Sequence, residues 1–378
     1  ADIVVKGPGV NPNTKFIQLA KENGAVITSD IAIFCEIAPC PVYAVTGSKG
    51  KSTTVSLIYN IFKSKSENAF IGGNITISPL DFHDKLNKES LVILELSSWQ
   101  LRDIKDLNIR FHGTLITNLL NDHQNYYNND MLAYLNDKAI ISQNQTKDDF
   151  FIIPENDKYI NLQNIKTNAT THFFSLKNDK NSFCIKNGKA FYKDNELFDT
   201  SIIKLKGEHN ILNCLIAAGF CHLAGIENKF IVKGISNFTG TPYRIELIRE
   251  WNGIKFYNDT TATIPDAMVY SIKAFKEPLI LIAGGNDKNL DFSIVYDAMK
   301  IPKKILLLPG DGTEKMKKII NRDDIIEGKS LEELFSIALT YAKSGDVVLL
   351  SPGATSFGLF QNEFHRGDIF NELVRNLK

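Results

Sequence analysis

Gly47-Ser48-Lys49-Gly50-Lys51-Ser52 gathers the residue types that grip a phosphate, in a shorter spacing than the common G-x-x-x-x-G-K-[ST]. The common form would need glycine at position 45, where Val45 stands. A strand-like run, VYAVTG (42–47), leads into the stretch, and a helical pattern, STTVSLIYNIFKS (52–64), follows it. In that setting the backbone N–H groups of Gly47 to Lys51 would wrap phosphate oxygens, and the helix N-terminus would add partial positive charge. Lys51 would neutralise the β- and γ-phosphates, and the Ser52 hydroxyl would face Mg2+. An ordinary strand-to-helix turn has similar ingredients; the strand before and the helix after favour nucleotide binding.

Two later strand ends carry matching chemistry. Glu95 closes the run LVILE and is followed by Ser97 and Ser98, while Asp122 and His123 follow LITNLLN. In open parallel sheets ligands gather outside the carboxyl ends of the strands. A carboxylate and an imidazole there, beside a phosphate loop, would hold Mg2+ on a transferring phosphate. Taken singly, Asp122 also reads as a helix N-cap and His123 as a surface imidazole.

The elements that must position these groups are those of an α/β protein. SLVILELSS (90–98) and FHGTLITNL (111–119) are β-branched runs without alternation, the mark of buried parallel strands, and 130–144 has helical spacing. From 151 to about 206 short alternating strands suggest a small antiparallel addition, and a helical block covers 209–236. FTGTPYRIE (238–246) marks a boundary. Beyond it PLILIAGG (278–285), KKILLLPGDG (303–312) and GDVVLLSPGATS (345–356) read as buried strands of a second doubly wound α/β unit.

The 378 residues are too many for one ordinary core, and equal totals of 43 basic and 43 acidic residues argue against a general nucleic-acid or anionic-membrane binder. The longest apolar stretch, ILNCLIAAGFCHLAGI, carries Asn213 and His222 and is shorter than the roughly 20 residues of a membrane span. Five cysteines without metal-type spacing fit reduced thiols in the cytoplasm.

TGSKGKST, GGNI (72–75), ELSSWQL (95–101) and TNLLNDH (117–123), in this order, resemble the Mur ligase family of peptidoglycan synthesis, and more narrowly its D-glutamate-adding branch. The family's phosphate loop has this short glycine spacing. The resemblance runs nearly end to end and implies three parts. These are a remnant of an N-terminal UDP-binding domain (1–29), a central P-loop-type parallel-sheet ATPase domain (30–240) and a Rossmann-like C-terminal amino-acid-binding domain (241–378). It implies an ATP-dependent acid–amino-acid ligase that is monomeric and cytoplasmic, with no membrane or nucleic-acid partner. Its substrates would be UDP-N-acetylmuramoyl-L-alanine and D-glutamate, joined through an acyl phosphate.

The roles implied by position follow. Gly47, Ser48, Lys49, Gly50, Lys51, Ser52 and Thr53 would hold ATP, with Asn210 and Asn213 of GEHNILNCLIAAG near the nucleotide. Arg244 and Asp259 would contact ATP from the last domain, the arginine as a clamp that acts when domains close. Ser52, Glu95, His123 and Lys138 would serve two Mg2+ ions, Lys138 as a carbamate formed with CO2. Lys51, His123 and Lys138 would be catalytic. Gly9, Asn74, Ser97, Thr263, Lys288, Ser356 and Phe357 would bind the substrates, Gly9 near the uracil and Lys288, Ser356 and Phe357 at D-glutamate. Arg366 is a weaker candidate with a structural alternative.

Three departures from the family pattern stand out. Thr261 replaces a frequent lysine, removing one expected positive charge. Glu363 occupies a frequently aromatic slot. Most of the first domain is missing, as in a truncated or trimmed form, which would lower affinity for the UDP substrate. Alternative readings are another Mur-type or folylpolyglutamate-type ligase, disfavoured by ELSSWQL and the absence of an Asn-Pro-Arg triplet, or a nucleotide-binding protein that does not ligate.

Overall fold

The computed structural model describes residues 1–378 apart from 8, 9, 11–13, 76, 121–126, 128, 129, 178–181, 206, 288, 289 and 321. The chain divides into two compact units, Ala1–Phe238 and Thr239–Lys378.

The first unit begins with a small parallel pair, β1 (Ile3–Val5) and β2 (Val26–Thr28), joined by α1 (Lys15–Glu22). After α2 (Asp30–Ile37) come β3 (Val42–Thr46), α3 (Lys51–Lys65), β4 (Ala69–Gly73), β5 (Leu91–Glu95), α4 (Ser98–Asp103), β6 (Gly113–Ile116) and α5 (Met131–Ala139). Then follow β7 (Phe150–Pro154), β8 (Thr170–Phe174), β9 (Ser182–Lys186), β10 (Lys189–Tyr192), β11 (Asn195–Asp199), α6 (Glu208–Leu223) and α7 (Asn228–Asn237).

β3 to β11 form one nine-stranded sheet, ordered β11-β10-β9-β8-β7-β6-β3-β5-β4. β3 lies between β5 and β6, both parallel to it, so the loops after these three strands emerge side by side. The strands lack alternation because both faces are covered. Val45, Ile93 and Leu115 pack with α3, α6 and α7 on one face, and Ala44, Leu94 and Ile116 with α2, α4 and α5 on the other. The antiparallel addition is β9-β10-β11, and it continues the same sheet. The first strands of the 151–206 stretch, β7 and β8, pair in parallel, and β8 runs parallel to β9.

The second unit contains β12 (Glu246–Trp251), β13 (Ile254–Asn258), α8 (Pro265–Lys273), β14 (Leu279–Gly284), α9 (Val295–Ala298) and β15 (Lys304–Leu308). It continues with α10 (Asp311–Ile319), β16 (Ile326–Glu327), α11 (Leu331–Tyr341), β17 (Val347–Leu350) and α12 (Glu363–Arg375). The sheet order is β12-β13-β17-β14-β15-β16, parallel except for β12. Apolar clusters cover both of its faces, as a doubly wound unit requires. The hairpin β12–β13 turns at Asn252-Gly253, both with positive φ, and its alternating burial leaves no continuous apolar run to read.

All five cysteines are free thiols. No helix among the described residues is long and apolar enough to cross a membrane.

α3, which starts at the phosphate-loop candidate, is held from behind by α7. Asn60 Nδ2 donates to the Gly234 carbonyl at 2.7 Å, and a Cβ on Gly234 would lie 2.6 Å from Ile61 Cα. Backbone cannot yield as a side-chain tip can, so Gly234→Ala should push the two helices apart. A loss of about 1–3 kcal/mol in unfolding free energy is expected from denaturant titration; an unchanged midpoint would contradict this packing.

Candidate functional site

At the carboxyl end of β3 the chain turns within four residues into α3. Gly47 has φ 145°, and a Cβ there would fall 2.0 Å from Thr117 Oγ1, so no side chain fits. Gly50 is the left-handed residue that opens α3. The end of β6 fastens the turn. Thr117 Oγ1 and Asn118 Nδ2 both donate to the Lys49 carbonyl, at 2.7 and 3.1 Å. The Lys49 N–H returns a bond to Asn118 Oδ1 at 2.9 Å, and the Ser48 N–H bonds the Asn118 carbonyl at 3.0 Å.

The N–H groups of Ser48 and Lys49, expected to wrap phosphate, are thus engaged by Asn118. The anion site of this turn is the α3 N-terminus, where first-turn N–H groups have no intrahelical acceptor. Ser52 and Thr53 lie on that turn, Ser52 buried, and Lys51 Nζ donates to the Ser48 carbonyl at 2.9 Å. From α6, Asn213 Oδ1 accepts from Thr54 Oγ1 at 3.4 Å, and Asn213 Nδ2 donates to Asn210 Oδ1 at 3.3 Å. The asparagine pair is therefore brought to the back of the loop.

Glu95, at the end of β5, stands opposite Val45 of β3 in the sheet register. Its side chain is 1% exposed. Oε1 accepts from Asn74 Nδ2 at 2.9 Å, whereas Oε2 is buried with no hydrogen-bond partner among the described residues. A carboxylate oxygen in that state carries a desolvation cost of the kind a bound cation removes. An open carboxylate oxygen of this kind is chemically suited to a divalent cation. No group of three or more His, Cys, Asp or Glu side chains suited to a metal occurs among the described residues, to which His123 does not belong. Ser97 caps α4 in a reciprocal pair with Gln100, its hydroxyl accepting from the Gln100 N–H at 3.2 Å.

Lys138, on α5, is 1% exposed and donates to the Gly47 carbonyl at 2.9 Å, with Thr46 Oγ1 at 3.5 Å. Its ammonium lies 4.5 Å from the centre of the Tyr134 ring, and Tyr134 Oη accepts from Ser48 Oγ at 3.3 Å. From sequence the residue reads as a bland helix-surface lysine, and the structure buries it against the loop. Thr117, Asn118 and Tyr134 were missed as supports of the loop. Thr-Asn at a strand end was the available signal; nothing local marks Tyr134. Gly9, His123 and Lys288 lie outside the described residues.

In the second unit Arg244 is exposed, and Asp259, just after β13, is 4% exposed. Asp259 Oδ2 accepts from Ser271 Oγ at 2.5 Å and Ser351 Oγ at 2.7 Å, and Oδ1 accepts from the Ile245 N–H at 3.2 Å. Tyr243 and Ile245, either side of Arg244, have φ of 62° and 47°. For non-glycine residues, and a β-branched one above all, this conformation costs roughly 1–3 kcal/mol each. Thr261 Oγ1 donates to the Tyr243 carbonyl at 2.8 Å.

Ser356 is buried and Phe357 exposed in the turn after β17. That turn is tied to the loop after β14 by backbone bonds between Asn286 and Thr355, and by Asn286 Nδ2 to the Phe357 carbonyl at 2.6 Å. Thr263 is half-buried, two residues past Thr261. Arg366 is fully buried. Its Nε and Nη2 donate to Thr260 Oγ1 and the Thr260 carbonyl, both at 2.9 Å, and Nη1 to the Ala354 carbonyl at 3.3 Å. Burial pulls this guanidinium down to about 10.

Burial pushes the Asp259 carboxyl up to about 6, against the pull of Ser271, Ser351, the Ile245 N–H and Arg244. Since its folded value lies above that of the unfolded chain, the folded state binds the proton first as pH falls. This group's contribution to stability is therefore present below about pH 4 and is lost as pH rises through about 6. Thermal melts of the wild type and Asp259→Asn at pH 5 and pH 8 should show the variant gaining on the wild type at the higher pH, by on the order of 1–3 kcal/mol. A difference independent of pH would mean that the carboxyl does not titrate in this window.

Residues 45–221 match the Mur ligase middle domain, and residues 243–353 match the Mur ligase glutamate ligase domain. A UDP-N-acetylmuramoylalanine–D-glutamate ligase of Borreliella afzelii is 38% identical over 386 residues, covering 99% of this chain and 82% of its own. One of Ruminiclostridium cellulolyticum is 33% identical over 392 residues, covering 100% and 83%. Among solved structures, UDP-N-acetylmuramate–alanine ligase MurC of Thermotoga maritima superposes with a TM-score of 0.63 at 17% identity, over 100% of this chain and 86% of that one. The MurF ligase of Thermotoga maritima in complex with ADP gives 0.58 at 17% identity, over 99% and 95%. These two likenesses show the shared fold. With both domains matched in order and relatives of one activity aligned along nearly the whole chain, the protein belongs to the Mur ligase family, in its UDP-N-acetylmuramoylalanine–D-glutamate ligase branch.

Proposed function

We propose that this ligase uses ATP to join D-glutamate to UDP-N-acetylmuramoyl-L-alanine in the cytoplasm, as a step of peptidoglycan precursor synthesis. The observation that carries the reading is the Glu95 carboxylate. It is buried beside the strand that enters the phosphate loop, with one oxygen lacking a partner among the described residues. A structural carboxylate at that depth would be paired; one that serves a metal–triphosphate is left with an open oxygen.

The carboxylate of the acyl substrate would attack the γ-phosphorus of ATP, giving an acyl phosphate and ADP. The amine of D-glutamate would then attack the acyl carbon, lose a proton, and expel inorganic phosphate to leave the amide. The α3 N-terminus and Lys51 would hold the triphosphate, Lys51 leaving the Ser48 carbonyl to do so. Ser52 and Glu95 would hold one Mg2+, and His123 would contribute to a second. Bound magnesium would withdraw charge from the phosphate under attack.

Lys138 would help from below the loop. A carbamate formed on it keeps one N–H for the Gly47 carbonyl and turns a cation into an oxygen donor for a metal. Gly9, Asn74 and Ser97 would meet the acyl substrate, and Asn210 and Asn213 the nucleotide. Arg244 would meet a phosphate, while Lys288, Ser356, Phe357 and Thr263 would receive the carboxylates of D-glutamate. The protein would act as a monomer.

Phosphate release from ATP and UDP-N-acetylmuramoyl-L-alanine, measured with a panel of amino acids, should be strong with D-glutamate and near background with L-alanine or L-lysine. Glu95→Gln should lower kcat at least about 100-fold and raise the magnesium concentration needed for half-maximal rate. Equal turnover with L-amino acids would reassign the substrate, and ATP binding without amide formation would make the chain a non-ligating nucleotide binder.

A further inference from the structure

We propose that Asn286 is a positioning residue for the amino-acid substrate: its side-chain amide fixes the peptide after Phe357, in the turn given above to D-glutamate. The proposal deepens that reading and rests on it.

Asn286 follows β14 and is bonded to two other loops at carboxyl ends of the same sheet. Its Nδ2 donates to the Phe357 carbonyl at 2.6 Å, beyond β17, and its Oδ1 accepts from the Asp311 N–H at 3.3 Å, beyond β15. A carbonyl on one side and an N–H on the other admit only this orientation of the amide. The Asn286 N–H and carbonyl meanwhile exchange bonds with Thr355, at 3.2 and 2.8 Å. Glycines make room for the amide at both of its ends. A Cβ on Gly310 would lie 2.7 Å from Oδ1, and one on Gly358 would lie 3.2 Å from Nδ2.

One end of this bridge is anchored. α10 begins at Asp311 behind Gly310, which has no side chain to cap it, and Asn286 Oδ1 supplies the missing acceptor for a first-turn N–H. The Asp311 carboxylate accepts the Asp287 N–H at 2.7 Å in return, and Asp287 pairs with Lys315 of α10. Thr313 Oγ1 donates to the Leu308 carbonyl at 2.6 Å and accepts the Gly285 N–H at 3.0 Å. The start of α10, the end of β14 and Asn286 form one bonded block.

The other end is what needs holding. Gly358 has φ 85°, and glycine takes either hand of the backbone without a Cβ penalty, so sterics do not fix the peptide it shares with Phe357. In a planar trans peptide the Gly358 N–H points opposite to the Phe357 carbonyl, so the one bond to Asn286 sets the direction of both. A turn whose dipoles are set in advance needs less ordering when a carboxylate arrives, which favours binding. Asn286 acts on the substrate through this turn.

The test measures KM for D-glutamate and for ATP in amide formation, with melting temperature, in the wild type, Asn286→Leu, Gly358→Ala and the double variant. Leucine has a similar size and neither donates nor accepts. Asn286→Leu should raise KM for D-glutamate about 5- to 30-fold and leave KM for ATP within about 2-fold of the wild type. Gly358→Ala disturbs the same peptide from the other side and should raise KM for D-glutamate about 3- to 10-fold. The double variant should be no worse than the larger single effect, because both changes act on one peptide. If Asn286→Leu does not fold, Asn286→Ala replaces it with the same expectation. An unchanged KM for D-glutamate in a folded Asn286 variant, whatever its melting temperature, would overturn the positioning role alone. So would KM values for D-glutamate and ATP that rise alike, or effects that multiply in the double variant. Wild-type turnover that does not depend on D-glutamate would instead remove the reading beneath the proposal.

Discussion

The Lys49 carbonyl, held by Thr117 and Asn118 from the neighbouring strand end, is the constraint on which the first unit's site depends. A four-residue turn from strand to helix has too few N–H groups to wrap a phosphate by itself. Here two of them are given to Asn118, so the turn is built into the sheet rather than standing free of it. Thr117 Oγ1 occupies the space where a Gly47 side chain would stand, which fixes glycine at that position. The short glycine spacing follows: a wider loop would carry its own donors, whereas this one relies on the helix end and on lysines.

Buried carboxylates differ in their partners. Asp149 and Asp346, just before β7 and β17, are buried and form ion pairs with the exposed Arg110 and Lys303. Glu95 and Asp259 lie at carboxyl ends and have neutral hydrogen-bond partners among the described residues, as does Arg366, which grips the carboxyl-end loops from α12. Pairing cancels much of the cost of burying a charge, and leaving it unpaired retains that cost. For Glu95 and Asp259 that cost falls at the carboxyl ends of strands, where ligands of parallel α/β sheets bind.

What the sequence made legible was local. Buried strands at 42–46, 91–95 and 113–116 announce themselves by unbroken β-branched runs, and the phosphate loop by its glycines and its setting between strand and helix. The contacts that complete the site are long-range and lack a spacing rule. Lys138 reaches Gly47 across 91 residues, and Thr117 reaches Lys49 across 68. Burial of a lysine cannot be read from a helix pattern in which it looks solvated. The parallel pairing of β7, β8 and β9 was hidden for another reason: short alternating strands between polar turns suit either direction, and only the neighbours decide. Asp259 stands out in the sequence by position alone; its partners, Ser271 and Ser351, lie 12 and 92 residues away and nothing local announces them.

The two units solve one problem, a backbone held in an unusual conformation, in opposite ways. At Gly47 and Gly50 the residue type removes the steric penalty, so the phosphate loop needs support only for its carbonyls. At Tyr243 and Ile245 the side chains keep the penalty, and hydrogen bonds from Asp259 and Thr261 must exceed it. Glycine would make that turn easier to form and also easier to leave, because it populates both hands of the backbone. A side chain that resists the left-handed conformation, held there by donors and acceptors of one strand end, gives Arg244 a backbone whose direction is coupled to β13. Such coupling suits an arginine that acts as a placed charge, since its reach depends on the peptide planes on either side of it.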